Sequence, residues 1–274
     1  MQYVEYGSHN SQTIILLHGG GLSWWNYRDV AQLLSDRFHV VLPILDGHAG
    51  SDAPFTSIKD NAARIIAYID EHFGEKVLAV GGLSLGGQIA VEMLPQRPTI
   101  CSFALLESTL VKPSKLTHAL IKPIFGMSYG LIKQKWFAKM QASYLGIPKK
   151  LFNDYFRDTC KISKEDMIAF LQSNSAYSIK SALRDAQSKV HIVFGSKEQS
   201  SIRASGKLLN CLIPNSTLEI LPGYNHGDLS LNHPEQYART IQALFLYGMD
   251  LLPMDISLPR SSRVRLSRLR YSSR

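Results

Sequence analysis

The chain has 274 residues, of which 45 % are hydrophobic and 19 % are charged, as expected of a globular protein long enough for one large domain. Its formal net charge of +8 comes mostly from residues 258–274, which hold six arginines and no acidic residue. The rest of the chain carries 24 basic against 22 acidic residues. This nearly neutral body argues against a nucleic-acid-binding protein, and no nucleic-acid-binding motif accompanies the basic segment.

Three cysteines, Cys101, Cys160 and Cys211, lie far apart and show neither metal-binding nor redox spacing. We interpret them as reduced thiols of a cytoplasmic protein. Residues 1–6 have neither the basic nor the apolar region of a secretory signal, and no apolar run reaches the length of a membrane span. Two metal-binding patterns are absent from the sequence, namely H-E-x-x-H and closely spaced cysteine pairs. We therefore expect a cytoplasmic protein that uses no metal or other cofactor.

Strand and helix patterns alternate along the chain. Short apolar runs predict strands at residues 13–17, 38–42, 77–81, 100–106, 190–194 and 217–221. Apolar residues at helical spacing fall between several of these runs, and the clearest stripe extends over residues 62–73 and ends at Gly74. Another stripe follows the early proline Pro234. This alternation predicts an α/β protein whose central sheet is mostly parallel, with helices on both faces.

A glycine-rich loop, H-G-G-G at residues 18–21, follows the first predicted strand. Glycines at a strand end let backbone N–H groups face a ligand without obstruction from side chains. We expect the N–H of Gly20, assisted by Gly21, to form one half of an oxyanion hole. We expect His18 to hold the backbone of this loop by hydrogen bonding.

The most informative segment is G-L-S-L-G at residues 82–86, which lies between the apolar run at 77–81 and the helix-compatible residues 87–94. A strand, a sharp turn that carries a serine, and a helix together form the context of a nucleophile elbow. The glycines let the strand and the helix approach, and the N–H groups at the helix start point towards the reacting centre. We predict that Ser84 is a nucleophile and that the Leu85 N–H supplies the second oxyanion donor.

A serine nucleophile needs a neighbouring base, because its hydroxyl is hardly ionised near neutral pH. His226 lies in the loop after the last predicted strand, and imidazole exchanges protons near neutral pH. Glu198 lies between Ser84 and His226, just after the strand at 190–194. The chain order is therefore serine, acid, histidine, as one of the folds that use this chemistry requires.

These motifs, in this order and each at a strand end, make the sequence resemble the α/β-hydrolases. The likeness extends over residues 13–246 and includes D-G-H-A-G-S at residues 46–51, which is similar to the D-x-x-G-x-G-x-S loop of that family. The resemblance implies the α/β-hydrolase fold, with a mostly parallel central sheet, helices on both faces and an inserted helical cap.

The resemblance also implies a division of the chain. Residues 1–109 and 190–250 would form the core, and residues 110–189 would form a helical cap over the active site. Within that interval, Ser163 and Asp166 have the spacing of a capping box. Residues 251–274 would be a disordered basic tail, which we favour over a tail that contacts a membrane.

Two acidic residues compete for the third position of the triad. The family places its acid in the loop after the strand that follows the cap, often three residues beyond a glycine, where this chain has Glu198. Some members take the acid from the end of the preceding strand, which here carries Glu107. Aspartate is commoner than glutamate in the later loop, so Glu198 departs from the family pattern. We favour Glu198 because it preserves the triad order, and we keep Glu107 as the alternative.

The predicted catalytic residues are Ser84, Glu198 and His226, with an oxyanion hole from Gly20, Gly21 and Leu85. The resemblance implies a carboxylesterase-like serine hydrolase that cleaves esters of small or medium acyl groups through an acyl-enzyme. Thioesterase, lactonase, aminopeptidase and C–C hydrolase chemistry remain alternatives, as does a non-catalytic ligand-binding member. The expected partner is a small-molecule ester, and no nucleic acid is expected.

Overall fold

Seven strands form one sheet in the computed structural model, which describes residues 1–247. They are β1 (Tyr3–Tyr6), β2 (Thr13–Leu17), β3 (His39–Pro43), β4 (Val77–Leu83), β5 (Cys101–Glu107), β6 (Lys189–Gly195) and β7 (Ser216–Leu221). Their spatial order is β1-β3-β2-β4-β5-β6-β7. β1 runs antiparallel to β3 and all other neighbours are parallel, which confirms the predicted sheet.

Ten α-helices accompany the sheet within the described residues. They are α1 (Arg28–Leu34), α2 (Ile58–Phe73), α3 (Leu85–Gln96), α4 (Lys115–Ser128), α5 (Lys135–Tyr144), α6 (Phe152–Thr159), α7 (Lys164–Ala176), α8 (Ser200–Leu212), α9 (Asp228–Asn232) and α10 (Pro234–Tyr247). Short 3-10 helices occupy Trp24–Tyr27, Tyr129–Lys133, Lys149–Leu151 and Ser181–Asp185.

Helices cover both faces of the sheet, and β2 shows the consequence most clearly. All of its residues are buried. Ile14 and Leu16 belong to the apolar cluster that includes α1 and α10, whereas Ile15 and Leu17 belong to the cluster that includes α2 and α3. Successive side chains of a strand point to opposite faces, so a strand covered on both sides is apolar throughout.

The strand before the elbow is longer than predicted. We expected it to end at Gly81, but Gly82 and Leu83 continue the pairing with Leu106 and Glu107 of β5. Glycine weakens an isolated strand, yet here the neighbouring strand supplies the backbone partners. The extension carries β4 directly to the residue before Ser84.

Residues 110–188, called the helical insertion below, contain α4 to α7 and lie between β5 and β6. The capping box appears as predicted, because Ser163 Oγ accepts a hydrogen bond from the Asp166 N–H at 3.0 Å. The Asp166 carboxylate also accepts the N–H of Phe55 in the core, at 2.8 Å. Asn174 Nδ2 in α7 donates to Gln88 Oε1 in α3, at 2.9 Å. These bonds attach the insertion to the core beside the elbow helix.

Two features of the predicted organisation lie at the end of the chain. The core segment at 190–250 is described as far as residue 247, and the predicted tail, residues 251–274, lies outside the described residues. Within residues 1–247, every helix is too short or too polar to cross a membrane.

Candidate active site

Ser84 occupies a sharp turn between β4 and α3. Its φ of 53° and ψ of −108° are rare for a residue other than glycine. The approach of strand and helix requires glycine on both sides of it. A Cβ on Gly82 would lie 2.4 Å from the backbone of Gly86, and a Cβ on Gly86 would lie 2.0 Å from the carbonyl oxygen of Leu17. This is the strained strand–turn–helix geometry of a nucleophile elbow.

Glu198 and His226 form a hydrogen-bonded pair. His226 Nδ1 donates to Glu198 Oε2 at 2.8 Å. The other carboxylate oxygen, Oε1, accepts the Gly195 N–H at 2.8 Å and the Ser108 hydroxyl at 2.7 Å. The Glu198 side chain is 0 % exposed, whereas the His226 side chain is 43 % exposed. A buried carboxylate with three donors fixes the proton of the imidazole on Nδ1 and leaves Nε2 as the basic nitrogen.

Ser84 and His226 line the same cavity, whose volume is about 190 Å³. Among the hydrogen bonds of residues 1–247, none joins Ser84 Oγ to the His226 ring. Hydrogen bonds between a nucleophile and its base often tighten only when substrate binds. The shared cavity is thus the feature that unites the two side chains.

Most of the remaining cavity wall is apolar. Among the described residues that line it, His226 is the only titratable one, and Ser84 and Asn174 supply the other polar side chains. The helical insertion contributes Leu145, Ile147, Phe170, Leu171 and Asn174. A concave, largely apolar wall with a few polar groups suits an uncharged organic group. No cluster of three or more His, Cys, Asp or Glu side chains suited to a metal ion occurs within residues 1–247.

Glu107, the alternative acid, lies behind the elbow and makes no hydrogen bond to His226. Its Oε1 accepts the N–H of Ser230 at 3.1 Å, and its Oε2 is buried without a partner among the described residues. Its backbone carbonyl accepts the Ser84 N–H at 2.9 Å. Burial raises the pKa of this carboxyl to about 7. The structure therefore brings Glu198, and not Glu107, to the imidazole.

The oxyanion hole differs in one respect from the sequence prediction. Gly20 and Leu85 both line the cavity, and the Leu85 N–H stands at the helix start, where backbone donors have no acceptor within the helix. The N–H of Gly21 is engaged elsewhere, because it donates to His48 Nε2 at 3.0 Å. The Gly21 N–H is therefore not free for a ligand, and the N–H groups of Gly20 and Leu85 are the two that remain as candidate donors.

Two buried histidines hold the glycine-rich loop. His18 Nε2 accepts the Leu45 N–H at 3.1 Å, and His18 Nδ1 donates to the Gly19 carbonyl at 2.9 Å, as expected of a residue that positions backbone. Burial lowers the pKa of His18 well below its usual value and lowers the pKa of His48 to about 4. Both rings are consequently neutral near pH 7, and only a neutral His48 can accept the Gly21 N–H.

Sequence reasoning missed Ser108. This residue also has a positive φ, of 53°, and its hydroxyl joins two parts of the site. Ser108 Oγ donates to Glu198 Oε1 and accepts the Gly227 N–H at 3.3 Å, next to His226. Its only signal in the sequence is its place directly after Glu107 at a strand end, which predicts proximity to the site but no specific partner.

Comparison with known proteins gives a consistent result. The model of the alpha/beta hydrolase family matches residues 14–240. A curated relative, the "uncharacterized hydrolase YugF" of Bacillus subtilis (strain 168), is 24 % identical over an alignment of 245 positions that covers 82 % of this chain and 86 % of the relative. The family match at residues 14–240 therefore extends from β2 to β7 and includes the helical insertion and the loops that carry the site.

Solved structures share the same architecture. The enol-lactonase from Burkholderia xenovorans LB400 aligns with a TM-score of 0.76 and 16 % identity, covering 89 % of this chain and 95 % of that one. A thermophilic esterase from Thermogutta terrifontis aligns with a TM-score of 0.74 and 16 % identity, covering 89 % and 92 %. At these identities the likeness shows the fold alone. Because the family model matches most of its length and both of these structures share its fold, the chain belongs to the alpha/beta hydrolase family.

Proposed function

We propose that the protein is a serine hydrolase that cleaves carboxylic esters of small or medium acyl groups through an acyl-enzyme. One observation carries the proposal. The buried carboxylate of Glu198 holds His226 at the edge of an apolar cavity into which the strained turn places Ser84. Family membership supports hydrolysis, and this arrangement supports a serine nucleophile activated by an imidazole.

In the first half of the reaction, Ser84 Oγ attacks the ester carbonyl carbon while His226 Nε2 takes the hydroxyl proton. The Glu198 carboxylate stabilises the imidazolium that forms. The carbonyl oxygen becomes an oxyanion and accepts the N–H groups of Gly20 and Leu85, and losing one such donor costs roughly 3–4 kcal/mol of transition-state stabilisation. His226 then gives its proton to the alcohol oxygen, the C–O bond breaks, and the acyl group remains on Ser84.

In the second half, water replaces the alcohol. His226 Nε2 takes a proton from the water as its oxygen attacks the acyl carbon, and the same two N–H groups stabilise the second oxyanion. The bond to Ser84 Oγ then breaks, the serine oxygen recovers the proton from His226, and the carboxylic acid leaves. No group of the protein is consumed, so Ser84 and His226 return to their starting states.

The size of the cavity supports small or medium acyl groups. Sites for drug-sized molecules usually measure roughly 300–1,000 Å³. The cavity beside Ser84, at about 190 Å³, is smaller. Phe170 and Leu171 of the insertion form part of its wall, so a long acyl chain would have to displace them or leave the cavity.

A panel of p-nitrophenyl esters of increasing acyl length, with a thioester and a lactone, tests the proposal. We expect kcat/KM to be highest for the short acyl esters and to fall once the acyl group exceeds the cavity. Ser84→Ala should lower kcat/KM by about 10³-fold or more. The matched control, Ser8→Ala, removes an exposed hydroxyl from the turn after β1 and should leave the rate unchanged. Ester turnover by folded Ser84→Ala at the wild-type rate would refute the proposal.

A further inference from the structure

The helical insertion exposes an unusual share of apolar surface. Fourteen large hydrophobic side chains are exposed among residues 1–247, and nine of them lie between residues 116 and 145. Met127 is 90 % exposed, Tyr144 83 % and Leu116 72 %. Single exposed apolar side chains are normal in proteins, but a concentration of them marks an interaction surface.

The exposed residues of α4 share one side of that helix. Leu116, Leu120, Ile124 and Met127 follow one another at intervals of four, four and three residues, which is the spacing of neighbours on a helix face. Ile121, on another side of α4, is buried. This helix therefore has a side that packs into the protein and a separate apolar side that faces outward.

The next helix repeats the pattern. In α5, Trp136, Met140 and Tyr144 are spaced by four residues and are all exposed, whereas Ala138 and Ala142 are buried. We call the outward sides of α4 and α5 the insertion face. Among the described residues, neither stripe is covered, so both are accessible to a surface from outside residues 1–247.

The charge of this region has a single sign. Residues 108–153 contain eight lysines and no aspartate, glutamate or arginine, and all eight lysines are exposed. Lys115 and Lys122 lie on α4, and Lys135 and Lys139 lie on α5, so exposed lysines and exposed apolar side chains occur on the same two helices. The surface that fits the insertion face must therefore be both apolar and anionic.

We propose that the insertion face docks on an anionic lipid bilayer. An amphipathic helix that binds in the interface of a bilayer presents apolar residues on one side and also carries lysines, and α4 and α5 each have both. The lysines would lie near lipid phosphates while Leu116, Met127 and Trp136 enter the region between headgroups and acyl chains.

Other occupants fit these observations less well. A second copy of the chain would bring two sets of lysines together, without an acidic residue in the segment to offset their repulsion. A nucleic acid would suit the lysines, Trp136 and Tyr144, but it would leave the aliphatic Leu116, Leu120 and Ile124 without a partner. A bilayer accounts for both the charges and the aliphatic side chains.

The insertion face also reaches the catalytic cavity. Leu145, which follows α5 directly, is 40 % exposed and lines the cavity that contains Ser84. Docking would therefore place the rim of the cavity beside the bilayer. The proposal rests on the proposed function only for this catalytic consequence, because binding itself needs no turnover.

Cosedimentation of the full chain with vesicles tests the proposal, using phosphatidylcholine alone and phosphatidylcholine mixed with phosphatidylserine. We expect binding to the mixed vesicles only, weakened by added salt. The double variants Met127→Ser/Trp136→Ser and Lys135→Glu/Lys139→Glu should each lower the partition coefficient by about tenfold or more. The matched control, Lys207→Glu/Leu208→Ser, changes an exposed lysine and an exposed leucine of α8 and should bind like the wild type.

Several results would overturn the proposal. If the insertion-face variants bind vesicles as strongly as the wild type, the affinity belongs to the basic segment at 258–274, which every variant retains. Absence of binding, or equal binding to both vesicle compositions, would also contradict it. So would a dimer in solution that Met127→Ser/Trp136→Ser dissociates. Ester hydrolysis is measured separately on soluble substrates, so failure of docking and failure of the proposed function are distinguishable.

Discussion

Two buried glutamates stand at the ends of neighbouring parallel strands and differ in what surrounds them. Glu198, just beyond β6, has three donors on its carboxylate, from His226, Gly195 and Ser108. Glu107, at the end of β5, receives one backbone N–H on Oε1, and its Oε2 has no partner among the described residues. Both residues are glutamates and both are buried, so the number of hydrogen-bond donors is what distinguishes Glu198 from Glu107.

The difference favours Glu198 over Glu107 as the partner of the His226 imidazole. A charged carboxylate in the interior is stable only when donors replace the water it has lost. Without them, burial raises the pKa of Glu107 to about 7, and its neutral form becomes accessible near neutral pH. Glu198 has the donors that a stable counter-ion for His226 requires.

Neutralising each glutamate in turn should produce the largest contrast. Glu198→Gln should lower kcat/KM for an ester by about 10³–10⁴-fold, because an amide can present its NH2 to Nδ1 and favour the wrong imidazole tautomer. Glu107→Gln should change kcat/KM by less than about threefold, since the backbone carbonyl that holds the Ser84 N–H is retained. Steady-state kinetics on both variants identify the triad acid. A large loss of kcat/KM in Glu107→Gln with a small one in Glu198→Gln would make Glu107 that acid.

The effect of burial on Glu107 should also appear in the dependence of the free energy of unfolding on pH. The pKa of Glu107 is about 7 in the folded chain, above the ordinary value of 4.5, so the folded state binds more protons between those values. Its contribution is fully present below pH 4.5 and is lost as pH rises through 7, with a span of about 3 kcal/mol. Compared with wild type, Glu107→Gln should therefore gain relative stability from pH 4.5 to pH 8.

Denaturant unfolding at several pH values measures this effect. A difference in the free energy of unfolding between Glu107→Gln and wild type that stays constant from pH 4.5 to pH 8 would show that Glu107 is solvated as an ordinary carboxylate. Ser8→Ala is the matched control and should follow the wild-type curve at every pH.

The buried imidazole of His48 should also make the free energy of unfolding depend on pH. The pKa of His48 falls to about 4 in the folded chain, below the ordinary 6.5, so the unfolded state binds more protons between pH 4 and pH 6.5. The contribution is fully present above pH 6.5 and is lost as pH falls to 4, again over a span of about 3 kcal/mol. His48→Gln should flatten the pH dependence of the free energy of unfolding in this window, and an unchanged slope would contradict a neutral, buried His48.

Removing one donor from Glu198 should have the smallest effect. Ser108→Ala deletes the hydroxyl that donates to Oε1, so we expect kcat to fall about tenfold. Thr109→Val is the control, since it removes a neighbouring hydroxyl that donates only to the Glu107 carbonyl at 3.3 Å. If Ser108→Ala and Thr109→Val have the same kcat at all pH values, the Ser108 hydroxyl does not contribute to catalysis.

Much of this arrangement could be predicted from the sequence, and the rest depends on long-range contacts. Apolar runs bounded by glycine located the strands, and the G-L-S-L-G segment predicted the strained turn at Ser84. The bond from Gly21 to His48 joins residues 27 apart, and the bond from Ser108 to Glu198 joins residues 90 apart. Neither leaves a periodic pattern, so the sequence did not indicate them.

The outward side of the helical insertion escaped prediction for another reason. In α4 both Leu116 and Ile121 are apolar, yet the first is 72 % exposed and the second 7 %. Hydrophobic periodicity identifies apolar sides of a helix but does not indicate which of two sides the protein covers. That choice emerges only when the helices pack on the core.

Labelling with a fluorophosphonate, followed by mapping of the modified residue by mass spectrometry, tests the central claim most directly. Our account predicts one adduct on the wild-type protein, on Ser84, formed about 10³-fold faster than in His226→Ala, because Glu198 and His226 activate the hydroxyl. Absence of an adduct on the folded wild type, or labelling of His226→Ala at the wild-type rate, would contradict the claim that these three side chains act as one site.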